Sequence, residues 1–303
     1  MEELSFDKKE IEKRLKPYHR VLNCSNRIQT VSCLIIGFGM IGGMIIGIAE
    51  PNIPESVMNA FLAVFGVAIV AYFVFKILSW VLHGKYAEEY RNIFLPLLNT
   101  VLTDVTYNHK GGYTKEEFKQ IGIAAWKSSY SFYSEDLIEG LCEGVPFKQA
   151  DIRIEDTDSK VGLVNVNGVL REFTYPLARA GEVLIVKSGA NLDMDWSQNW
   201  NKVQMEAVQF NDSFDVYAKD ELGAFYLLTP HFMEYVKSLE EMDYDLYIYF
   251  TGEKLYFLQH GKGGLFTPPE IESFDVDKEI QKVKEQLSEV SRLIDVLKIT
   301  ANA

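Results

Sequence analysis

The sequence predicts a membrane-anchored α+β protein: an N-terminal two-helix transmembrane hairpin, then a cytoplasmic domain with a mostly antiparallel sheet and flanking helices, ending in an amphipathic helix. Three observations carry this. Ile28 to Ala49 has no charged residue in 22 positions and Ser56 to Phe75 none in 20, each enough at about 1.5 Å per helical residue to cross a hydrocarbon core of about 30 Å. Short apolar runs broken by turn residues then fill the middle of the chain. Its end carries a sustained heptad. The expected divisions are a cytoplasmic amphipathic leader over 1–27, the hairpin over 28–82, the α+β domain over 83–273 and a coiled-coil-like terminal helix over 274–303.

The leader places Ile11, Leu15, Tyr18 and Leu22 on one helical face and is rich in Lys and Arg, from Lys8 to Arg27. The link Glu50 to Glu55 has no basic residue, and Lys76, Lys85 and Arg91 follow the second run. Basic residues are retained on the cytoplasmic side, so both termini are expected there. Lys76 can snorkel, extending the second span to about Leu82, with Trp80 at the interface. A cleaved signal peptide does not fit a mixed-charge leader of this length.

Gly37-Phe38-Gly39-Met40-Ile41-Gly42 has the G-x-G-x-x-G form of a dinucleotide turn. Such a turn needs an acidic residue about 20 positions on, and here that distance falls on Phe61 and Leu62 inside the second apolar run. The spacing of Gly39, Gly43 and Gly47 is instead that of a close helix contact, either with Ala60, Ala63 or Gly66 of the other span or along a homodimer seam.

Past the membrane, Lys85 to Leu102 reads as a helix interrupted at Pro96. Thr114 to Glu117 has the capping-box form and opens a second helix. Strand signals run from about Ser131 to Phe210: alternation over Asp151 to Glu155, β-branched residues over Gly181 to Lys187, and an apolar run over Val203 to Phe210. Thr229-Pro230 supplies an N-cap and first turn. Tyr244 to Phe250 and Lys254 to Gln259 form a hairpin around Gly252-Glu253, apolar on both faces and so covered on both. Val276, Ile280, Val283, Leu287, Val290, Ile294 and Leu297 alternate spacings of four and three, the seam of a docked or coiled-coil helix. It can close on the chain's own domain or leader, or on another subunit or protein.

The formal net charge is −13 over the chain, and the part beyond the hairpin carries −14, which argues against nucleic acid as a partner. Cys24, Cys33 and Cys142 make no disulfide framework and suit a reducing compartment; Cys142 is expected in the core. No catalytic motif, phosphate loop or metal-ligand spacing is present among the five histidines. Asp193 to Asn199 alternates oxygen ligands as a calcium loop does, but Gln198 and Gln204 stand where Gly and Glu are needed. Glu155, Asp156 and Asp158 read as a solvated turn. No catalytic, cofactor or metal residues are therefore expected.

The run Val208 to Glu221, followed by Ala224 to Pro230, resembles an uncharacterised bacterial membrane-protein family, domain of unknown function 3137. Glu89-Tyr90-Arg91, Tyr133 to Asp136, Glu139-Gly140, the Tyr249 to Phe257 hairpin, the two spans and the terminal helix are similar to its features, so the resemblance covers nearly the whole chain. It is specific around Phe210 to Pro230 and loose between Asp158 and Asn201. It implies a bacterial inner-membrane protein and no reaction, cofactor or catalytic residues. The expected function is a non-enzymatic, membrane-anchored cytoplasmic scaffold or sensor, touching the bilayer and, through the terminal helix, a protein partner or a second copy. The alternatives are a membrane enzyme with an unfamiliar site and an oligomeric two-span pore or transport accessory.

Overall fold

The computed structural model describes residues 8–49, 54–158, 163–175, 181–190, 200–241, 244–261 and 263–301. The chain forms two compact units, residues 1–95 with 268–281, and residues 96–267 with 282–303.

The first unit is helical. α1 (Lys8–Ala49) runs without a break from the basic leader through the first apolar run, and α2 (Glu55–Phe94) continues well past the second. Both helices are long and apolar enough to cross a membrane. Their outward residues are large and apolar, with Phe38, Met44, Val67 and Trp80 at 70–77% exposure, the pattern of helices whose surroundings are themselves apolar. Polar groups tie the pair at one level: Ser25 Oγ donates to Phe75 O at 3.0 Å, and Gln29 Nε2 donates to Ser79 Oγ at 2.8 Å and to Phe75 O at 3.2 Å. Below it the leader's apolar face closes inward, with Ile11, Leu15 and Leu22 buried. The His19 ring stands edge-on to Tyr86 and Phe274, and Tyr90 donates to Glu279 Oε2 at 2.5 Å. Burial pushes the His19 pKa down and the Tyr90 phenol up.

Among the described residues the second unit holds nine antiparallel strands. In chain order the elements are β1 (Leu102–Asn108), α3 (Lys115–Ile121), β2 (Tyr130–Cys142), β3 (Val145–Asp156), β4 (Leu163–Thr174), β5 (Val183–Lys187), β6 (Asn201–Val203), α4 (Val208–Ser213), β7 (Phe214–Ala218), α5 (Glu221–Leu227), α6 (Pro230–Ser238), β8 (Asp245–Phe250), β9 (Lys254–His260) and α7 (Val276–Ala301), of which 282–301 belong to this unit. The sheet order is β1-β2-β3-β4-β9-β8-β5-β7-β6. The late hairpin β8-β9 thus fills the middle, which is why its two faces are both apolar: Leu246, Ile248 and Phe250 share one side with Leu255 and Phe257, and Tyr247 and Tyr249 share the other with Tyr256 and Leu258. The tyrosine side joins Ile152, Ile154, Val166, Leu170 and Leu184 in one core that α3 covers with Phe118 and Ile121. On the opposite side Arg171 and Gln259 reach Glu289 of α7, so that helix covers the second face.

Local chemistry sets the helix ends. Thr114 and Glu117 make the reciprocal capping box, and Gly122 closes α3 at φ 75°. Thr229 Oγ1 accepts from Phe232 N at 3.3 Å with Pro230 in the first turn of α6. Pro96 ends α2: the chain tightens to a 3₁₀ stretch over Leu95–Thr100 and then becomes β1, a strand the helical reading to Leu102 did not contain. The apolar run Val203 to Phe210 is not a strand. Pairing stops at Val203, and Val208–Ser213 turns helical because the Asn211 side chain takes the Met205 backbone, donating to its O at 2.7 Å and accepting from its N at 3.0 Å.

Candidate functional site

The glycine stripe lies between the two long helices, but what it meets is aromatic. A Cβ at Gly39 would stand 2.7 Å from Phe65 Cδ2, and one at Gly43 would stand 3.6 Å from Phe61 Cζ; Gly42 and Gly66 have nothing within 4 Å. Gly39 and Gly43 therefore give room for two phenylalanine rings, stacked at 6.1 Å, in place of the expected contact with Ala60, Ala63 or Gly66. Gly47 lies in α1, and its surroundings fall outside the described residues.

The heptad of α7 faces inward. Val283, Leu287, Val290, Ile294 and Leu297 are buried, with Leu293 and Val296 beside them, and Ile280 is half-buried. A polar network pins the helix: Arg171, 2% exposed, donates through Nε to Gln149 Oε1 at 2.8 Å and through Nη1 to Gln259 Oε1 at 2.9 Å and Glu289 Oε2 at 3.4 Å. Tyr235 of α6 donates to Glu289 O at 3.4 Å. A buried guanidinium with all these acceptors fixes the register of α7 on the sheet. Cys142 is buried, and burial pushes its thiol pKa up, away from reactivity. The Asp193 to Asn199 run lies outside the described residues; among those described, no group of His, Cys, Asp or Glu could hold a metal ion.

The feature with chemistry is a cleft of about 920 Å³ along β2, β3 and β4, lined also by Tyr113 and Lys115 at the start of α3. Strand register builds its floor, because Glu135 pairs with Asp151, Tyr133 with Arg153, and Arg153 with Asn167, which puts all five on one face. The segment after β9 forms its rim through Gly263, Gly264 and Thr267. Gly264 is required here, since any Cβ would overlap the Asp151 carboxyl. Lys282 Nζ of α7 donates to Thr267 O at 3.2 Å and holds the rim in place.

At the rim of β2 the ladder slips between Glu135 and Ile138, and Asp136 in that bulge has φ 57°. Its carboxylate accepts from Tyr107 OH at 2.5 Å and meets His109 Nδ1 at 2.7 Å, while its backbone N donates to His109 O at 3.0 Å. Asp151 has no such support. Its pKa is pushed up to about 8, first by burial, then by the charges of Asp136 and Glu135, against the smaller pull of Arg171 and Lys282. The Tyr113 phenol, which lines the same cleft from the core that α3 covers, is also pushed up by burial.

The cleft residues were not singled out as a site by sequence. Their signal was the run Tyr133 to Asp136 and the charge alternation Asp151, Arg153, Glu155, which reads as an ordinary solvated strand until the register puts Glu135 opposite Asp151.

Residues 165–299 match the family model described as "Protein of unknown function (DUF3137)". The DUF3137 match takes in the sheet centre from β4, the β8-β9 hairpin and nearly all of α7, and it is confined to that stretch rather than covering nearly the whole chain. Asn167, Gly263, Gly264 and Thr267 of the cleft fall within it; Tyr133, Glu135 and Asp151 precede it. No curated protein and no solved structure matches the chain.

Proposed function

We propose that the protein is a non-enzymatic, membrane-anchored sensor module of a bacterial inner membrane, with two spans, both termini and the sheet unit in the cytoplasm, and the cleft as receptor for a small molecule. The observation that carries this is the cleft itself: its volume lies in the range of small-molecule sites, and its floor carries a carboxyl with a displaced pKa. A scaffold acting through the terminal helix has less support, because most of the apolar seam of α7 is already buried within the chain.

Gly263 lines the cleft and a Cβ there meets nothing within 4 Å, so Gly263→Phe is a blocking variant that leaves the core alone. Full-length protein in detergent, immobilised and exposed to a low-molecular-weight bacterial extract, should retain a small molecule detectable by mass spectrometry after heat release. The Gly263→Phe protein should not. Equal retention by both, or by neither, removes the sensor reading.

A second reading, a membrane enzyme, is favoured by the Asp136–His109 pair beside Asp151, since a carboxylate on Nδ1 orients the other imidazole nitrogen for proton transfer. Turnover of the retained molecule, lost in His109→Asn with binding intact, would establish it.

A further inference from the structure

We propose that the cleft binds a small organic ammonium ion, seated between the Tyr133 ring and the carboxyl groups of Glu135 and Asp151. This rests on the sensor reading and names its ligand class. The charges on the cleft wall are unevenly used. Arg153 is ion-paired with Glu155, and Lys115 donates to Tyr130 O at 3.3 Å while standing 4.9 Å over the Trp126 ring. Among the described residues, the Glu135 and Asp151 side chains have neither a hydrogen bond nor an ion pair. They are nevertheless direct partners across the β2-β3 ladder, where like charges repel.

An aromatic group adjoins them. Tyr133 lies two residues before Glu135 on the same strand face and is 56% exposed, so its ring is presented to the cleft instead of being packed. An exposed ring beside two unpaired carboxyl groups in a cleft of this volume is the recognition chemistry of an alkylammonium: the carboxylates take the N–H donors and the ring face takes the charge and the methylenes. A bare divalent ion fits less well, as no metal-holding group of carboxylates or imidazoles is formed among the described residues.

Binding is coupled to a proton. In the folded chain Asp151 carries its proton at neutral pH; a bound ammonium ion, keeping its own protons, favours the carboxylate, and the Asp151 proton leaves to solvent. Affinity should therefore rise by up to about tenfold per pH unit below pH ~8 and flatten above it, until the amine itself deprotonates.

The probe is putrescine, titrated calorimetrically into full-length protein in detergent at pH 6.5, 7.2 and 8.5, in two buffers of different protonation enthalpy. We expect binding, a proton release approaching one at pH 6.5 and falling to about a quarter at pH 8.5, and a loss of at least about tenfold in Glu135→Gln and in Asp151→Asn, the latter with no proton release. Tyr133→Leu should weaken binding with proton release intact. Cooperative unfolding of each variant by circular dichroism separates lost binding from lost folding. No binding of putrescine, equal binding by all variants, or a site that takes Mg²⁺ in place of putrescine overturns the inference. If putrescine fails while the extract yields another molecule that Gly263→Phe loses, the ammonium inference falls and the sensor reading stands.

Discussion

Asp151 shows how a single ionisation records its surroundings. Its carboxyl ordinarily titrates near 3.8, and in the folded protein it does so near 8. Between those values the folded chain holds a proton that the unfolded chain has lost, so stability falls as pH rises through that window and levels off above it. The expected size is on the order of a few kcal/mol, reduced by the water that reaches the cleft. Asp151→Asn should leave denaturant stability unchanged near pH 4 and raise it at pH 8.5, flattening the profile, as measured by urea unfolding of the full chain in detergent. A profile of unchanged slope would mean that Asp151 ionises freely. None of this was legible in the residue alone: Asp151 sits in an alternating charged run, and its character comes from burial beneath Gly264 and from Asp136 and Glu135 on the neighbouring strand, contacts about 113, 15 and 16 positions away that only the folded chain creates.

At the scale of elements, what was legible had a local cause. The capping box at Thr114, the Thr229-Pro230 start and the Gly252 turn are each settled within four residues, and they stand where expected, Gly252 at φ 91°. The run Val203 to Phe210 was misread because its apolar residues fit either period and the Asn211 bond to Met205 is a side-chain event. The glycine stripe was legible as a contact but not in its partner. Gly39→Leu should push Phe65 aside and separate α1 from α2, whereas Gly42→Leu should be tolerated, because nothing lies within 4 Å of it. Thermal unfolding in detergent should show a lower Tm only for Gly39→Leu; equal effects would mean that the two faces are not distinct. In α7, Leu287 and Val290 are 3% and 1% exposed. Leu287→Asp with Val290→Asp forfeits about 1.5 to 3 kcal/mol of apolar burial at each position and adds two carboxylates to a core. Against a total stability of about 5 to 15 kcal/mol, the sheet unit should lose its cooperative transition. A folded double variant would show that α7 is not part of the core.

For the molecule as a whole, the asymmetry of charge along the chain is the feature that composition alone could supply, and it bears on which side of a membrane each part occupies. α1 delivers Lys8 to Arg27 to one end of the helix pair, the Glu50 to Glu55 link at the other end has no basic residue, and α2 returns Lys85 and Arg91 to the first end. Because α1 and α2 pack as an antiparallel pair through Gly39–Phe65 at one level and Gln29–Ser79 at another, the two ends cannot be exchanged separately. In the proposed reading, retention of basic segments on the cytoplasmic side orients the pair, and the acidic segment that follows α2 in sequence is proposed to lie in the cytoplasm. A fluorescent protein fused after Ala303 should therefore fluoresce in bacterial cells, and alkaline phosphatase fused after Asn52 should be active, since it folds only outside the cytoplasm. Replacing Lys13, Lys16 and Arg20 by Gln while placing three Lys in the Glu50 to Glu55 link should shift part of the population to the opposite pattern. Phosphatase activity at Ala303 of the unaltered chain would place the sheet unit outside, and the sensor reading would then have to be rebuilt for an extracytoplasmic ligand.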